Sequence, residues 1–478
     1  MDMAKNTEIE LKLLVDKDNL KKLLKLDCVV SALREGSCQK RKLVSSYYDT
    51  EDLAFKRHGI AYRVRSKGDG SYEATVKTSV ANAAGLSERV ELNLPLPKAQ
   101  PVLEGFAAMG LGYELSELAP TGVSKLFTVT VQRTTYILDL PGAVAELAVD
   151  HGKLTAGKAV DKIDEVEIEL LEGDKGALFK FAAAIAAQVP VFVEKRSKFV
   201  RGLALRGISV DAQPLQEKLG NGDLKAELLA GIAYHGEQLF ALKNDLENNI
   251  SEKVLKALKR ELLALRCLTA VVGIAKCELL EQMLDVVEQV RCLLGLQVLW
   301  QRILLKGQQQ GRTSMQKKLA DATLDAITEL QLYAGFGRFT ALIFALTSMV
   351  YEAELPEVAF DAHAKAALKQ WQQELAQKPA AANAEDEADK MADTALAEAE
   401  LNAQKLNAAE NICALARCCN LKGAAKASEA VKKQRRQLNK QAVLLAWRQR
   451  LAAICEGSTS KLVYRESGMI LGYLLAKA

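Results

Sequence analysis

The sequence predicts an α+β protein in which antiparallel strands precede an all-helical bundle. Over roughly residues 1–205, short segments alternate charged and apolar side chains at a period of two, as a strand with one polar face does. Beyond residue 222 the apolar residues recur at the helical period instead. These two observations predict a strand domain at residues 1–205, a linker at 206–222 and a helical bundle at 223–478.

The first strand shows the alternation most clearly. In the run Glu8-Ile9-Glu10-Leu11-Lys12, the three charged side chains share one face and the aliphatic side chains share the other. Five later segments place polar residues together in the same way: Arg63 and Arg65; Glu73, Thr75 and Lys77; Arg89, Glu91 and Asn93; Glu146 and Asp150; and Glu165, Glu167 and Glu169. Acidic, basic and mixed faces therefore follow one another within one region.

Two interpretations account for these charged faces. They are either solvent faces laced by cross-strand ion pairs, each contributing about 1 kcal/mol or less, or they point into a barrel or tunnel. Buried charges are costly unless they pair, bind metal or hold an ionic ligand, so a charged lumen would be a binding site. Paired carboxylates suit a hard cation such as Mg²⁺ or Mn²⁺, and arginines suit phosphate.

The second half of the chain reads as helix. Asp223 is a predicted N-cap, and Leu228, Leu229 and Ile232 begin an apolar stripe at helical spacing. The predicted helices cover residues 224–248, 251–272, 275–306, 313–333, 336–352, 361–377, 389–418, 434–456 and 459–475. The alanine-rich and acidic segment 378–388 has little to bury and predicts a flexible interruption of the bundle.

Composition limits the classes of function. A net charge of +4 over 478 residues, without an arginine-rich and aromatic surface, argues against nucleic acid as a partner. No apolar signal region or long uncharged apolar stretch is present, so we expect a cytoplasmic protein with no membrane partner. The nine cysteines show no metal-ligand spacing, which favours reduced thiols over a disulfide or zinc framework.

The strand region resembles the CYTH superfamily, the triphosphate tunnel metalloenzymes. Besides the Glu8-x-Glu10-x-Lys12 run, the resemblance rests on an ordered set of motifs: Tyr47-Tyr48-Asp49-Thr50, Arg63-x-Arg65, Lys77, Arg89-x-Glu91, Arg133, Glu146-x-x-x-Asp150, Glu165-x-Glu167-x-Glu169 and Ser197-Lys198-x-x-Arg201-Gly202. It implies a closed antiparallel barrel of about eight strands. It also implies metal-dependent hydrolysis or transfer at a triphosphate.

The resemblance implies roles for individual residues. The cations expected to hold the triphosphate oxygens are Lys12, Arg63, Arg65, Lys77, Arg89, Arg133, Lys198 and Arg201. The carboxylates expected to bind Mg²⁺ or Mn²⁺ are Glu8, Glu10, Glu167, Glu169 and Asp150. Glu146 and Asp150 would complete a second metal site or orient the attacking water, which makes Glu8, Glu10, Lys12, Glu146 and Asp150 the predicted catalytic set. Glu91 and Glu165 are further candidates.

The helical region resembles the CHAD domain, which in its family is associated with polyphosphate. Its densest basic run, Lys432-Lys433-Gln434-Arg435-Arg436 with Lys440, predicts either a polyphosphate-binding surface or a solvated helix face. The order of the two domains resembles bacterial inorganic triphosphatases, which implies hydrolysis of tripolyphosphate to pyrophosphate and phosphate. Thiamine or nucleoside triphosphatase activity, adenylate cyclase activity and a non-enzymatic polyphosphate scaffold stay open as alternatives.

Overall fold

The protein contains two compact units. A computed structural model of the chain describes residues 7–83, 86–209, 215, 217–220, 222–274, 276–306, 314–335, 337–377, 387–421, 423–456 and 461–475. One unit comprises Met1–Leu215 together with Phe336–Glu352, and the other comprises Gln216–Gly335 together with Ala353–Ala478.

The first unit is built on a closed antiparallel barrel. Its strands are β1 (Thr7–Leu14), β2 (Gln39–Asp49), β3 (Ile60–Ser66), β4 (Tyr72–Ala83), β5 (Leu86–Leu96), β6 (Ser124–Leu140), β7 (Ala143–Ala156), β8 (Ala159–Gly173) and the two-residue β9 (Phe192–Val193). The order around the barrel is β1-β5-β4-β3-β2-β6-β7-β8, and β8 pairs with β1 to close it. The predicted closed barrel of about eight strands is confirmed.

The burial of β1 decides between the two interpretations of the charged faces. Leu11 and Leu13 are fully buried on one face of the strand, and on the other Glu10 and Lys12 are only 4% and 6% exposed. A solvent-facing strand would leave its charges in water. The charged side chains therefore point into the barrel, while the apolar side chains pack outside it.

Short helices cover parts of the barrel. They are α1 (Lys17–Leu23), α2 (Asp27–Val30), α3 (Ala54–Arg57), α4 (Leu115–Leu118), α5 (Lys175–Ala186) and α6 (Lys198–Leu205), with a π-helical turn at Ala107–Leu111. The turn and α4 lie over an outer apolar cluster that includes Phe55, Tyr62 and Phe106. This cover keeps water from the apolar side of β3 and its neighbours, so both faces of these strands are shielded.

The chain beyond residue 222 is helical, as predicted. The helices are α7 (Leu224–Ala241), α8 (Lys243–Asn248), α9 (Glu252–Val271), α10 (Glu278–Lys306), α11 (Ser314–Gly335), α12 (Arg338–Glu352), α13 (Phe360–Ala376), α14 (Glu387–Cys418), α15 (Ala424–Cys455) and α16 (Lys461–Leu475). Asp223 caps α7, since its carboxylate accepts a hydrogen bond from the Ala226 amide at 2.9 Å.

Helix α12 departs from the predicted domain boundaries. The sequence places residues 336–352 in the bundle of residues 223–478, but α12 belongs to the barrel unit and packs on α5. The ring centroid of Phe179 in α5 lies 5.7 Å from those of Phe344 and Tyr351 in α12. The apolar stripe of a helix does not specify its partner, which explains the wrong assignment.

Two other predicted boundaries differ from the structure. Helix α15 begins at Ala424, ten residues before the predicted start at 434, so the basic run at 432–436 lies in its third and fourth turns. In the predicted linker, Leu219 pairs with Cys419 and donates its amide to the Cys418 carbonyl at 2.8 Å. This end of the linker is therefore part of the helical unit. The predicted flexible segment 378–388 lies outside the described residues except for its last two positions, which begin α14.

Within the described part of the chain, no single helix is long and apolar enough to cross a membrane. The bent pair α11 and α12 meets the length and composition requirement only when the two helices are taken together.

Candidate active site in the barrel

A cavity of about 580 Å³ runs inside the barrel, and its walls carry most of the predicted site. Eleven of the fourteen predicted site residues line it: Glu8, Glu10, Lys12, Arg63, Arg65, Lys77, Arg89, Arg133, Glu167, Glu169 and Lys198. Ten of them come from strands spread around the barrel and Lys198 comes from α6, and closure of the barrel brings them to one lumen. Glu146, Asp150 and Arg201 do not line the cavity.

One group of charges lies where β1, β4 and β5 meet. Lys77 Nζ lies 2.6 Å from both carboxylate oxygens of Glu8 and 2.7 Å from Glu91 Oε2. A guanidinium nitrogen of Arg63 reaches the other oxygen of Glu91 at 3.4 Å. Although burial opposes it, these two cations hold the pKa of Glu91 well below its usual range.

A second group surrounds Lys198, the first residue of α6. Its ammonium lies 2.8 Å from Asp150 Oδ2 and 2.8 Å from Glu167 Oε1, and it also pairs with Glu165. Despite burial, these three carboxylates raise the pKa of Lys198 well above its usual value. Arg133 completes the group by donating to both oxygens of Asp150, at 2.7 and 2.6 Å.

The fold positions α6 tightly against the barrel wall. Ser197 caps the helix by accepting a hydrogen bond from the Val200 amide at 3.2 Å. A Cβ atom added at Gly202 would lie 2.3 Å from the ring of Phe127 in β6, so only glycine permits this approach. The packing of α6 at this position places Lys198 among the carboxylates of β7 and β8.

Glu169 stands apart from these neutralised groups. It lies directly opposite Glu10 on the neighbouring strand β1 and opposite Glu146 on β7. Burial and the nearby charge of Glu8 raise the pKa of Glu169 to about 8, an effect that Lys77 only partly offsets. Burial also raises the pKa of Glu8, despite the contact with Lys77. This part of the lumen therefore holds more carboxylate than the nearby cations compensate.

Arg65 shows the opposite imbalance. It donates to Ser45 Oγ at 2.9 Å, and among the described residues it forms no ion pair with a carboxylate. Burial and the neighbouring Arg63 and Arg133 lower the pKa of Arg65 to about 10. The Nε of Arg63 is also buried without a hydrogen-bond partner in the described structure. Both arginines line the cavity, so this wall is suited to an anion with several oxygens.

Arg201 is occupied by the protein itself. Its guanidinium contacts Asp161 Oδ2 at 2.7 Å, Glu165 Oε2 at 3.3 Å and the Lys162 carbonyl at 2.6 Å. It therefore fixes α6 to β8 outside the cavity, whereas the sequence suggests a phosphate contact. A motif gives the identity of a cation but not the side of the helix on which it lies.

Sequence reasoning assigned no role to several residues that line the cavity: Tyr47, Lys56, Asn93 and Lys195. Asn93 follows the lumen-facing alternation of Arg89 and Glu91, so the strand pattern contained its signal. Lys56 lies on α3, whose amides are capped by Asp49: Phe55 N and Lys56 N donate to this carboxylate at 2.8 and 3.0 Å. The motif around Asp49 thus positions Lys56, which no pattern in the sequence singles out.

Among the described residues of the barrel, one set of carboxylate oxygens lies close enough together to suit a hard divalent cation, and a second group of carboxylates lines the cavity. Asp150, Glu165 and Glu167 present oxygens within 4.8 Å of one another, but Lys198 already contacts all three. The set formed by Glu8, Glu10 and Glu169 lines the cavity and includes the carboxyl group with the raised pKa. In this set Lys77 pairs with Glu8, and Lys12 and Arg89 pair with Glu10, whereas Glu169 forms no ion pair among the described residues. Glu169 therefore offers Mg²⁺ or Mn²⁺ a cavity-facing carboxyl group that no cation of the described structure holds.

Comparison with known proteins gives the family of the barrel. An inorganic triphosphatase of Haemophilus influenzae is 29% identical over 163 residues, which are 34% of this chain and 46% of that protein. The chain thus spans less than half the length of this curated relative. Among solved structures, an adenylyl cyclase from Hippeastrum with a dominant triphosphatase activity is 17% identical and covers 42% of this chain and 97% of its own, at a TM-score of 0.31.

The CHAD domain from Ricinus communis is 14% identical and covers 56% of this chain and 92% of its own, at a TM-score of 0.41. The CYTH domain family matches residues 6–203, a span that contains all eight strands of the closed barrel and most of α6. Residues 6–203 of this chain are thus similar to the CYTH domain family.

Proposed function

We propose that the barrel is a metal-dependent triphosphatase that hydrolyses tripolyphosphate to pyrophosphate and phosphate. The similarity of residues in this region to an inorganic triphosphatase supports the choice of substrate. The observation that carries the proposal is the separation of uncompensated charge in one cavity, with Arg65 on one side and Glu169 on the other. A triphosphate with a bound divalent cation would satisfy both.

The cations of the lumen would bind and orient the triphosphate. Phosphoryl transfer depends mainly on positioning and on charge at the developing oxygens. Arg65 and Arg63 are best suited to this task, since each has donor capacity that the described protein groups leave unused. The other cavity-lining cations from the predicted set are Lys12, Lys77, Arg89, Arg133 and Lys198, which pair with carboxylates and would adjust to the substrate.

Glu8, Glu10 and Glu169 would hold Mg²⁺ or Mn²⁺. When bound, such an ion supplies positive charge to the phosphate oxygens and lowers the pKa of bound water. Of the other predicted metal ligands, Glu167 and Asp150 are engaged by Lys198 and Arg133. We therefore assign them to the positioning of these two cations.

Glu146 is the candidate for orienting the attacking water. It lies opposite Glu169 across β7 and β8, it is half-buried, and burial raises its pKa despite the influence of Arg133. A carboxyl group with a raised pKa is suited to accept a proton near neutral pH. Both oxygens of Asp150, the other predicted catalytic carboxylate of β7, already accept hydrogen bonds from Arg133.

The choice of substrate is tested by measuring phosphate release from tripolyphosphate, ATP and thiamine triphosphate, each with Mg²⁺ and with Mn²⁺. We expect the highest kcat/KM for tripolyphosphate. A higher kcat/KM for ATP or thiamine triphosphate would make that compound the preferred substrate. Formation of cyclic AMP from ATP would favour adenylate cyclase activity. Absence of turnover with every substrate, together with tight polyphosphate binding, would favour the scaffold.

A second candidate function concerns the helical unit, for which we propose long-chain polyphosphate binding. Seven cations and one carboxylate, Glu410, surround a hollow of about 270 Å³, here called the basic hollow: Lys256, Lys259, Arg260, Arg291, Arg417, Arg435 and Arg436. The basic run of α15 thus meets two lysines of α9 instead of lying alone on a solvated face. Replacing Arg435 and Arg436 by glutamine should weaken polyphosphate binding by the full chain and flatten its salt dependence. Unchanged affinity would leave this surface without a role in binding.

A further inference from the structure

The helical unit contains a second cavity, larger than the lumen of the barrel. It measures about 930 Å³ and lies between α9, α10, α14 and α15. This volume is within the range of about 300–1,000 Å³ that small-molecule sites occupy. We call it the apolar cleft, after its floor of Leu255, Leu284 and Leu299, which are all buried.

One wall of the apolar cleft is aromatic. Trp447 of α15 lies against Gly295 of α10, where an added Cβ would come within 2.8 Å of the indole carbon Cζ2. The indole N–H of Trp447 is buried and has no hydrogen-bond partner in the described part of the structure. An unsatisfied buried donor is costly, and a ligand acceptor would remove the cost.

The apolar cleft is lined by five cations and five carboxylates, and it continues into the basic hollow, since Lys259, Arg291 and Asn439 line both. Lys259 and Arg291 already pair with Glu288, at 2.9 and 2.8 Å. Arg450 differs from them. It donates to Gln289 Oε1 at 3.1 Å and forms no ion pair with a carboxylate among the described residues, so its charge is available to an anion.

We propose that the apolar cleft binds a nucleotide, with the base against Trp447 and the phosphates at Arg450 and the basic hollow. An inorganic polyanion would make no use of the apolar floor, and a purely apolar ligand would make no use of Arg450 and the basic hollow. An aromatic base joined to phosphates matches both. The side-chain amides of Gln289, Asn407 and Asn439 also line the cleft, and they can form hydrogen bonds with the edges of a base.

The proposal is tested on the full chain with ADP, pyrophosphate and adenosine, which separate the contributions of base and phosphate. All three tryptophans of the chain, Trp300, Trp371 and Trp447, lie in the helical unit, so their emission does not report on the barrel. We expect ADP to change the emission, and Trp447→Phe to abolish the change. In titrations followed by tryptophan emission, ADP should bind at least about tenfold more tightly than pyrophosphate or adenosine.

Two variants test the placement of the nucleotide. Arg450→Gln should weaken ADP binding about tenfold, whereas Arg448→Gln, an exposed neighbour that does not line the cleft, should leave it within about twofold. Val298→Phe, which adds bulk at the exposed edge of the cleft, should weaken ADP and adenosine together. Equal affinity for ADP and pyrophosphate would contradict the proposal, as would unchanged ADP binding in both Arg450→Gln and Val298→Phe.

Discussion

Glu10 and Glu169 lie directly opposite each other on the antiparallel strands β1 and β8, and both line the lumen of the barrel. Glu10 has Lys12 at 3.4 Å and Arg89 at 3.5 Å, which lower its pKa despite burial. Among the described residues no cation pairs with Glu169, and burial and the charge of Glu8 raise its pKa to about 8. At neutral pH the pair therefore combines an ionised and a largely protonated carboxyl group. A divalent cation bound between them would change this protonation.

The first prediction concerns stability and pH without metal. The pKa of Glu169 is raised from 4.5 to about 8 on folding, so below pH 4.5 the group is protonated in both states and contributes nothing. As pH rises from 4.5 to 8, the unfolded chain ionises first and the folded protein loses stability. Glu169→Gln should therefore be more stable than the unsubstituted chain at pH 8, by a few kcal/mol at most, and equal to it near pH 4.5.

Urea unfolding at several pH values in the presence of a chelator measures this difference. The exposed Glu172 on the same strand provides the control, because Glu172→Gln makes the same chemical change outside the cavity. A stability difference for Glu169→Gln that does not grow with pH would contradict the assignment of a raised pKa. Added Mg²⁺ should stabilise the unsubstituted chain more than Glu169→Gln.

The second prediction concerns Arg65, which the described structure leaves without a carboxylate partner. Because a hydrogen bond to a charged group contributes about 1.5–3 kcal/mol, Arg65→Gln should lower kcat/KM for tripolyphosphate by about 10- to 100-fold. Arg65→Lys keeps the charge but loses the forked geometry and should have an intermediate effect. Lys153→Gln, which removes an exposed charge that does not line the cavity, serves as the control. Equal kinetics for Arg65→Gln and this control would exclude Arg65 from substrate binding.

The third prediction concerns Lys198, which neutralises three buried carboxylates. Lys198→Met leaves Asp150 and Glu165 without their shared ammonium, and breaking a buried ion pair on one side costs about 3–5 kcal/mol. Chemical denaturation should show a loss of this size, and Lys198→Met combined with Glu165→Gln should recover part of it. If Lys198→Met lowered the free energy of unfolding by less than about 1 kcal/mol, the packing of α6 would not depend on the contacts of Lys198.

The fourth prediction concerns the packing of α6. Gly202→Ala should destabilise the barrel unit by about 1–3 kcal/mol, because the new methyl group collides with Phe127. Gly468 in α16 is a helical glycine with no atom within 4 Å of an added Cβ, and Gly468→Ala should stabilise the chain by about 0.5–1 kcal/mol. Thermal unfolding of both variants checks the pair. A neutral Gly202→Ala would show that α6 can move away from β6.

The charge alternation left a solvent face and a lumen open as alternatives, but it predicted which residues share a face because the period of a strand is strict. Once one side chain of β1 faces inward, Glu8, Glu10 and Lys12 all do, and closure of the barrel then brings Glu169 beside Glu10. The role of Arg201 came from the family resemblance instead, and in the structure this residue is on a helix and its guanidinium contacts Asp161. Helical spacing leaves several directions open, and only packing selects one.

Packing partners and charge balance could not be read from the sequence. Nothing in the apolar pattern of α12 distinguishes α5 from the other helices as its partner. Likewise, Glu167 and Glu169 are equivalent in the strand pattern, yet Lys198 contacts one of them and the other has a raised pKa. Such differences arise from side chains brought together from distant parts of the chain.

The most direct test of the triphosphatase is phosphate release from tripolyphosphate by the full chain and by Glu10→Gln, with Mg²⁺, with Mn²⁺ and with a chelator. We predict release only when a divalent cation is present, and a decrease of at least about 100-fold in Glu10→Gln because the variant loses both a metal ligand and the partner of Lys12. Release that persists in the chelator, or full activity in Glu10→Gln, would contradict the proposed metal-dependent mechanism.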